Sequence, residues 1–273
     1  MVSRTGYLRI VAARKREKTI LKESFAEGAF KITRSVYLTT SGEAYFYIMN
    51  PGGGYLDGDF YKIDIYLEEA AEAVVTTQSS TKIYKTPLSH AIQELTIYLK
   101  KGSVLEFLPD PVIAYEHARF KQRTIVQMEQ GASLIYADIY TPGWAADGTH
   151  FQYDLLQSKM EVYMDHKLIL FDHIKLEPIE DDLKGIGYME GFSHFGTMFV
   201  IDERVNQVLL DELYELFEPL FGIRIGLSML SVSGFALRVL ANTTQEVEKV
   251  FGICHETLRK KVLVKEPVFL RKY

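Results

Sequence analysis

Hydrophobic and polar residues alternate with a period of two through the first two-thirds of the chain, as in strands with one buried face. Residues 61–66 read Y-K-I-D-I-Y, and residues 94–99 place Leu95, Ile97 and Leu99 on one side. Lys82-Ile83-Tyr84-Lys85 continues the pattern. Residues 159–171 read as a hairpin, with Met160, Val162 and Met164 before a polar Asp165-His166-Lys167 turn. Residues 220–241 read as two buried strands around Ser231-Val232-Ser233-Gly234. Clusters at Pro51-Gly52-Gly53-Gly54, Leu108-Pro109-Asp110-Pro111 and Pro142-Gly143 punctuate the strands. None is long enough for an interdomain linker, and no internal repeat is visible.

The period changes late in the chain. Val205, Leu209, Leu213 and Leu216 recur at helical spacing, which predicts a helix over about 203–217. Thr243 and Glu246 form a capping box, each satisfying a free backbone N–H of the other. The apolar stripe Val247, Val250, Phe251, Cys254 and Leu258 follows, predicting a helix over about 244–262. Arg259, Lys260 and Lys261 sit in its last turn, where cations complement the helix dipole. The expected fold is mainly β, with stacked or sandwiched antiparallel-rich sheets, two helices near the C-terminus, and residues 1–273 in a single domain.

Composition narrows the function. Hydrophobic residues make up 47% of the 273 residues, enough for a large core, and the net charge is −5. The densest basic run, Arg14, Lys15, Arg16 and Lys18, is short and followed by acidic residues, which argues against a nucleic-acid partner. Cys254 is the only cysteine, so neither a disulfide framework nor a multi-thiolate zinc site is available. Residues 1–13 lack the apolar core of a signal peptide. Residues 220–241 are interrupted by Arg224 and Arg238, leaving less than the ~20 apolar residues a bilayer requires. The expectation is a cytoplasmic protein that does not enter a membrane.

Catalytic groupings are missing. No phosphate-binding G-x-x-x-x-G-K-[ST] loop occurs, and Gly185-Ile186-Gly187 with Gly191 lacks the spacing and βαβ setting of a dinucleotide fingerprint. Gly191-Phe192-Ser193-His194-Phe195-Gly196 has its second glycine misplaced for a nucleophile elbow. No two of the seven histidines are four residues apart, and Cys254 lies on an apolar stripe as an inert thiol. Polar segments embedded in strands suit a protein that binds other proteins. The alternative is a β-sandwich enzyme acting on a small molecule or sugar, which needs paired carboxylates or a metal triad. A storage-type metallochaperone would need a His-rich tract, and the chain has none.

Five segments, in order, carry a resemblance. They are residues 49–59 (MNPGGGYLDGD), 75–85 (VTTQSSTKIYK), 105–111 (LEFLPDP), 136–139 (YADI) and 234–241 with Arg238 inside. Their combination over residues 28–241 is similar to the UreD family, called UreH in some lineages. Gly143-Trp144 departs from the pattern, since many members carry an arginine after that glycine. The resemblance implies a non-enzymatic cytosolic chaperone. Such a protein binds UreF and through it the GTPase UreG, docks on apo-urease, and helps install the nickel centre, with UreE as nickel source. It implies no tightly bound cofactor and only transient Ni2+.

The residues to which the resemblance directs attention have plain structural readings as well. Asn50, Gly52, Gly53, Gly54, Asp59, Thr76, Thr77, Gln78, Lys82 and Arg238 are the partner-binding or structural motif residues. Asp59, Glu106 and Glu177 are the candidates for transient nickel contact, since oxygen ligands hold Ni2+ weakly enough to hand it on. In the plainer reading Asp59 stabilises a turn, the threonines form a solvated strand face, and Glu106 and Glu177 make surface salt bridges. Trp144 suits either an interface or the core.

Overall fold

The computed structural model describes residues 4–268 and Leu270. The chain opens with an antiparallel pair, β1 (Gly6–Lys15) and β2 (Lys18–Gly28), followed by β3 (Lys31–Ile32) and β4 (Ala44–Met49). It then winds as a coil: β5 (Phe60–Leu67), β6 (Glu72–Thr77) and the short β7 (Thr81–Ile83) make one circuit. β8 (Ala91–Leu99), β9 (Val104–Phe107) and β10 (Val112–Ala114) make the next, and β11 (Arg119–Met128) and β12 (Ser133–Tyr140) continue it. A hairpin of β13 (Leu155–Met164) and β14 (Lys167–Leu176) precedes β15 (His194–Ile201), α1 (Gln207–Phe217), β16 (Arg224–Met229), β17 (Gly234–Ala241) and α2 (Thr244–Lys261).

Two sheets result. The first has seven strands in the order β14-β13-β11-β8-β5-β1-β2, and the second runs β16-β17-β15-β12-β9-β6-β4-β3, with β10 and β7 attached beside β12. Each circuit lays one strand in each sheet beside the strand of the previous circuit, so the neighbours are parallel. Phe60, Ile92, Lys121 and Gln157 are successive register partners across the first sheet. The mainly β architecture with two late helices is as expected. Antiparallel pairing, however, is confined to the flanks of both sheets, and their centres are parallel. Alternation along a strand reports which face is buried and is silent on pairing direction.

The circuits are tied by equivalent tight turns. Ala71 N donates to Glu68 O at 3.0 Å, Ser103 N to Lys100 O at 3.0 Å and Ala132 N to Glu129 O at 3.1 Å. The turns also stack, through Ala70 N to Lys101 O and Gly102 N to Gly131 O, both 3.1 Å. The third residue of each turn is left-handed, with φ of 55° at Ala70, 69° at Gly102 and 83° at Gly131. Only the last two are glycine, so Ala70 bears a steric cost from its Cβ. Ala70→Gly is expected to raise stability by about 0.5–1 kcal/mol, read from the urea midpoint.

A core fills the space between the sheets, with Leu8, Ile65, Ile97 and Phe120 facing Phe46, Val75, Leu105 and Leu134. A second core lies on the far side of the second sheet. There Ile135, Ala137, Ile139 and Met198 meet Leu209 and Leu213 of α1 and Val247, Val250, Cys254 and Leu258 of α2. β12 is therefore buried at all eight positions. The capping box of α2 is present, with Glu246 N donating to Thr243 Oγ1 at 3.2 Å and Thr243 N to Glu246 Oε2 at 2.9 Å. α1 begins four residues later than its periodicity suggested. Asp202 takes the backbone N–H of Arg204, and the helix is capped by Asn206, which accepts from Leu209 N at 3.1 Å. β16 is mostly exposed, because it lies at a sheet edge rather than in the interior.

Candidate functional site

The coil brings the separate polar segments to one place. Tyr55 N donates to Lys82 O at 2.8 Å and Tyr84 N to Tyr55 O at 2.9 Å, joining the glycine-rich segment to the threonine-rich one. The threonine-rich segment is joined in turn to residues 105–111. Thr76 Oγ1 donates to Leu108 O at 2.5 Å, and Thr77 Oγ1 donates to Asp110 Oδ2 at 2.9 Å while accepting from Asp110 N at 2.7 Å. Thr76 is thus buried, not part of a solvated face. Gln78 ties in through its backbone N–H to Ile48 O at 2.9 Å.

Local chemistry explains why this loop has its shape. Asn50 Oδ1 accepts from Gly52 N at 3.1 Å, and Asn50 O accepts from Gly53 N at 3.1 Å, closing the turn. Gly54 runs hard against its neighbours: a Cβ there would lie 2.6 Å from Tyr84 Cε2 and 2.8 Å from Lys82 O. Gly54→Ala is expected to cost about 1–3 kcal/mol by forcing the two segments apart, measured by urea unfolding. Asp59 occupies the turn role, accepting from Leu56 N at 2.7 Å and from Thr5 Oγ1 at 2.9 Å.

Behind this rim lies a cavity of about 50 Å³ between the sheets, lined in part by Asn50, Gly54, Thr77, Lys82, Gln122 and Asp138. That is room for a few water molecules, each needing roughly 10–15 Å³ on the same measure. The Nδ2 of Asn50 is buried without a hydrogen-bond partner.

Asp138 is the unusual member. It lies on β12, whose other residues are uncharged, and is 5% exposed. Its Oδ2 accepts from Tyr136 Oη at 2.7 Å, Gln122 Nε2 at 2.9 Å and Tyr140 Oη at 3.1 Å, all neutral donors. Burial raises its carboxyl to about 6 although those hydrogen bonds oppose the rise. A polar relay connects it outward. Tyr55 Oη donates to Gln93 Oε1 at 2.5 Å, Gln93 Nε2 to Gln122 Oε1 at 3.5 Å, and Gln122 to Asp138. The signal was present in the sequence: a lone carboxylate in the run S-L-I-Y-A-D-I-Y must be buried once the strand is buried on both faces.

The remaining candidates are placed elsewhere. Arg238 donates to Thr197 Oγ1 at 2.8 Å, pairs with Asp172, and lies over the rings of Phe195 and Phe199. It thereby ties β17 of the second sheet to β14 of the first. Glu177 pairs with Lys175 near the surface. Trp144 is 52% exposed and leans on Tyr115.

Glu106 is not a surface residue. It is 1% exposed, with Oε1 accepting from Arg259 Nη1 at 2.6 Å and Oε2 from His255 Nε2 at 2.5 Å. Arg259, read from the sequence as a dipole-complementing cation, is fully buried. Its Nη2 donates to Glu43 Oε1 at 2.5 Å and its Nε to Glu266 O at 2.8 Å. Lys265 Nζ completes the cluster on Glu43 Oε2 at 2.7 Å. Burial pushes the Glu43 carboxyl up, but Arg259 and Lys265 outweigh it and hold the group down at about 2. Both Glu106 oxygens are thus taken up by protein donors that fasten α2 to the second sheet. Among the described residues, no three His, Cys, Asp or Glu side chains converge as a metal site. Nor is any helix there long and apolar enough to cross a membrane.

A family model described as UreD urease accessory protein matches residues 4–272. A protein from Lachnoclostridium phytofermentans named urease accessory protein UreD is 50% identical, with all of both chains covered. Proteins of the same name from Bacillus sp. (strain TB-90) and Bacillus cereus are 44% and 40% identical. The first covers 98% of this chain and 99% of its own length, and the second all of both. Family members are accessory to an enzyme rather than enzymes themselves, which sets aside the β-sandwich enzyme alternative. From its near-complete match and these full-length relatives, the chain belongs to the UreD urease accessory protein family.

Proposed function

We propose that this chain is a cytoplasmic chaperone of urease maturation that bridges apo-urease and a module of UreF and the GTPase UreG. UreE supplies Ni2+, and the metal crosses this chain as cargo by way of the inter-sheet cavity. The observation that supports cargo passage is Asp138, a carboxylate kept in the core without a cation. A buried charge with only neutral partners is costly, and such groups concentrate where they do chemistry. One carboxylate among amides and hydroxyls binds Ni2+ through oxygen alone, which favours release over storage. Asp59 in the glycine-rich loop and Glu177 near the surface serve as further weak contacts, whereas Glu106 is structural. The joined segments around Asn50, Thr77 and Lys82 form the cavity's mouth and a partner-facing rim.

The test is reconstitution of urease from purified apo-urease, UreF, UreG, GTP and Ni2+ with this chain or its Asp138→Asn variant. The variant is expected to form the same complex and to activate urease at least tenfold more slowly. Equal activation rates would take Asp138 off the metal's route.

A further inference from the structure

β16 is the outermost strand of the second sheet and pairs with β17 on its inner side. A side chain occupies the middle of its outer edge. Tyr214 Oη, from α1, donates to Leu227 O at 2.7 Å and accepts from Leu227 N at 3.2 Å. One phenol thus takes up both the donor and the acceptor that an added strand would use at that residue. Leu230 N faces the other way, donating to Gly234 O at 2.9 Å. The alternation of antiparallel pairing therefore turns the backbone groups of Ile225 and Met229 outward with those of Leu227.

The sequence of the strand offers little else to deter pairing. Residues 225–230 read I-G-L-S-M-L and carry no charge, whereas free edges are commonly blunted by charges, prolines or bulges. The strand is also self-complementary. In a two-fold antiparallel pair centred on Leu227, Ile225 meets Met229, Gly226 meets Ser228, and Leu227 meets its own copy. The outward backbone groups then match, and Arg224 falls opposite Leu230, so no like charges meet. The same two-fold sets the start of one strand beside the end of the other. Apolar side chains are exposed at both places: Phe221, just ahead of the strand, at 90%, and Met229, at its end, at 39%. We propose that the outer edge of β16 is a pairing surface for a second copy of this chain, and that the Tyr214 hydroxyl holds it closed. This stands apart from the nickel role proposed above.

Sedimentation of the purified full chain tests it, with amide hydrogen exchange as a second readout. Tyr214→Phe keeps the ring and removes only the hydroxyl. The variant is expected to sediment with twice the wild-type mass. Diluted until it no longer associates, it should exchange its Leu227 amide about tenfold faster than the wild type, from the lost hydrogen bond. Adding Gly226→Glu and Ser228→Glu sets carboxylates from both copies across the joint and is expected to restore the wild-type mass. A Cβ at Gly226 meets nothing within 4 Å and Ser228 is exposed, so the fold accommodates both changes. Wild-type mass for Tyr214→Phe, with faster exchange at Leu227, overturns the second copy as occupant. Unchanged exchange at Leu227 overturns the closing role of Tyr214. A doubled mass that survives the two glutamates overturns this edge as the joint.

Discussion

Replacing Arg259 by methionine is expected to lower stability by about 3–5 kcal/mol at pH 7, the range found when one partner of a buried ion pair is removed. The guanidinium lies between Glu43 and Glu106, each 1% exposed, and without it two carboxylates face each other out of water. Lys265 still touches Glu43 and His255 still touches Glu106, but neither bridges the two. The charges, rather than the lost packing, are responsible, so Arg259→Met combined with Glu43→Gln and Glu106→Gln is expected to recover most of the loss. Urea unfolding of the single and triple variants separates the explanations. A single-variant loss below about 1 kcal/mol would show the cluster to be solvated like an ordinary surface pair. The pH dependence has a definite sign. Glu43 has a folded value of about 2, below its usual 4.5. Its stabilisation is therefore complete above 4.5 and is lost as pH falls towards 2. Arg259→Met should flatten that acid limb.

Asp138→Asn is expected to act in the opposite direction, raising stability by about 3 kcal/mol between pH 7 and 8. The folded carboxyl sits at about 6, above the usual 3.8, because burial disfavours its charge. A group raised in this way contributes stability below its unfolded value and loses it as pH rises through the folded one. The wild-type chain should therefore lose stability between about pH 4 and 6 from this residue, and the variant should not. The carboxamide oxygen can still accept from Tyr136, Tyr140 and Gln122, so the change removes the charge without orphaning its donors. Chemical denaturation across that pH range checks both the size and the window. Unchanged stability at pH 7 would mean the ion is already balanced inside the fold. With slower nickel activation, a more stable Asp138→Asn chain would mark a site where function is kept at a cost in stability.

Much of the architecture was legible in the sequence. Alternation located β5, β8 and the β13–β14 hairpin, and the Thr243–Glu246 box fixed the start of α2. The coil was not legible. Its turns repeat in backbone geometry, yet their residues are E-E-A-A, K-K-G-S and E-Q-G-A, which share little side-chain pattern. Nothing local could show that Glu106 would meet Arg259 across 153 positions, because pairing of that range follows from the stacking of helix on sheet. Residues 49–59, 75–85 and 105–111 were recognisable in combination along the sequence, but only the winding of the chain joins them at one cavity. Asp138 was visible as a carboxylate in an apolar run; its significance depended on β12 being covered on both faces.

The proposed role makes nickel loading of urease depend on this chain. The most direct test is the nickel content of re-isolated urease after apo-urease, UreF, UreG, GTP and Ni2+ are incubated with and without it. The proposed role predicts filled metal centres and active enzyme only when the chain is present. Equal nickel content in its absence would contradict it.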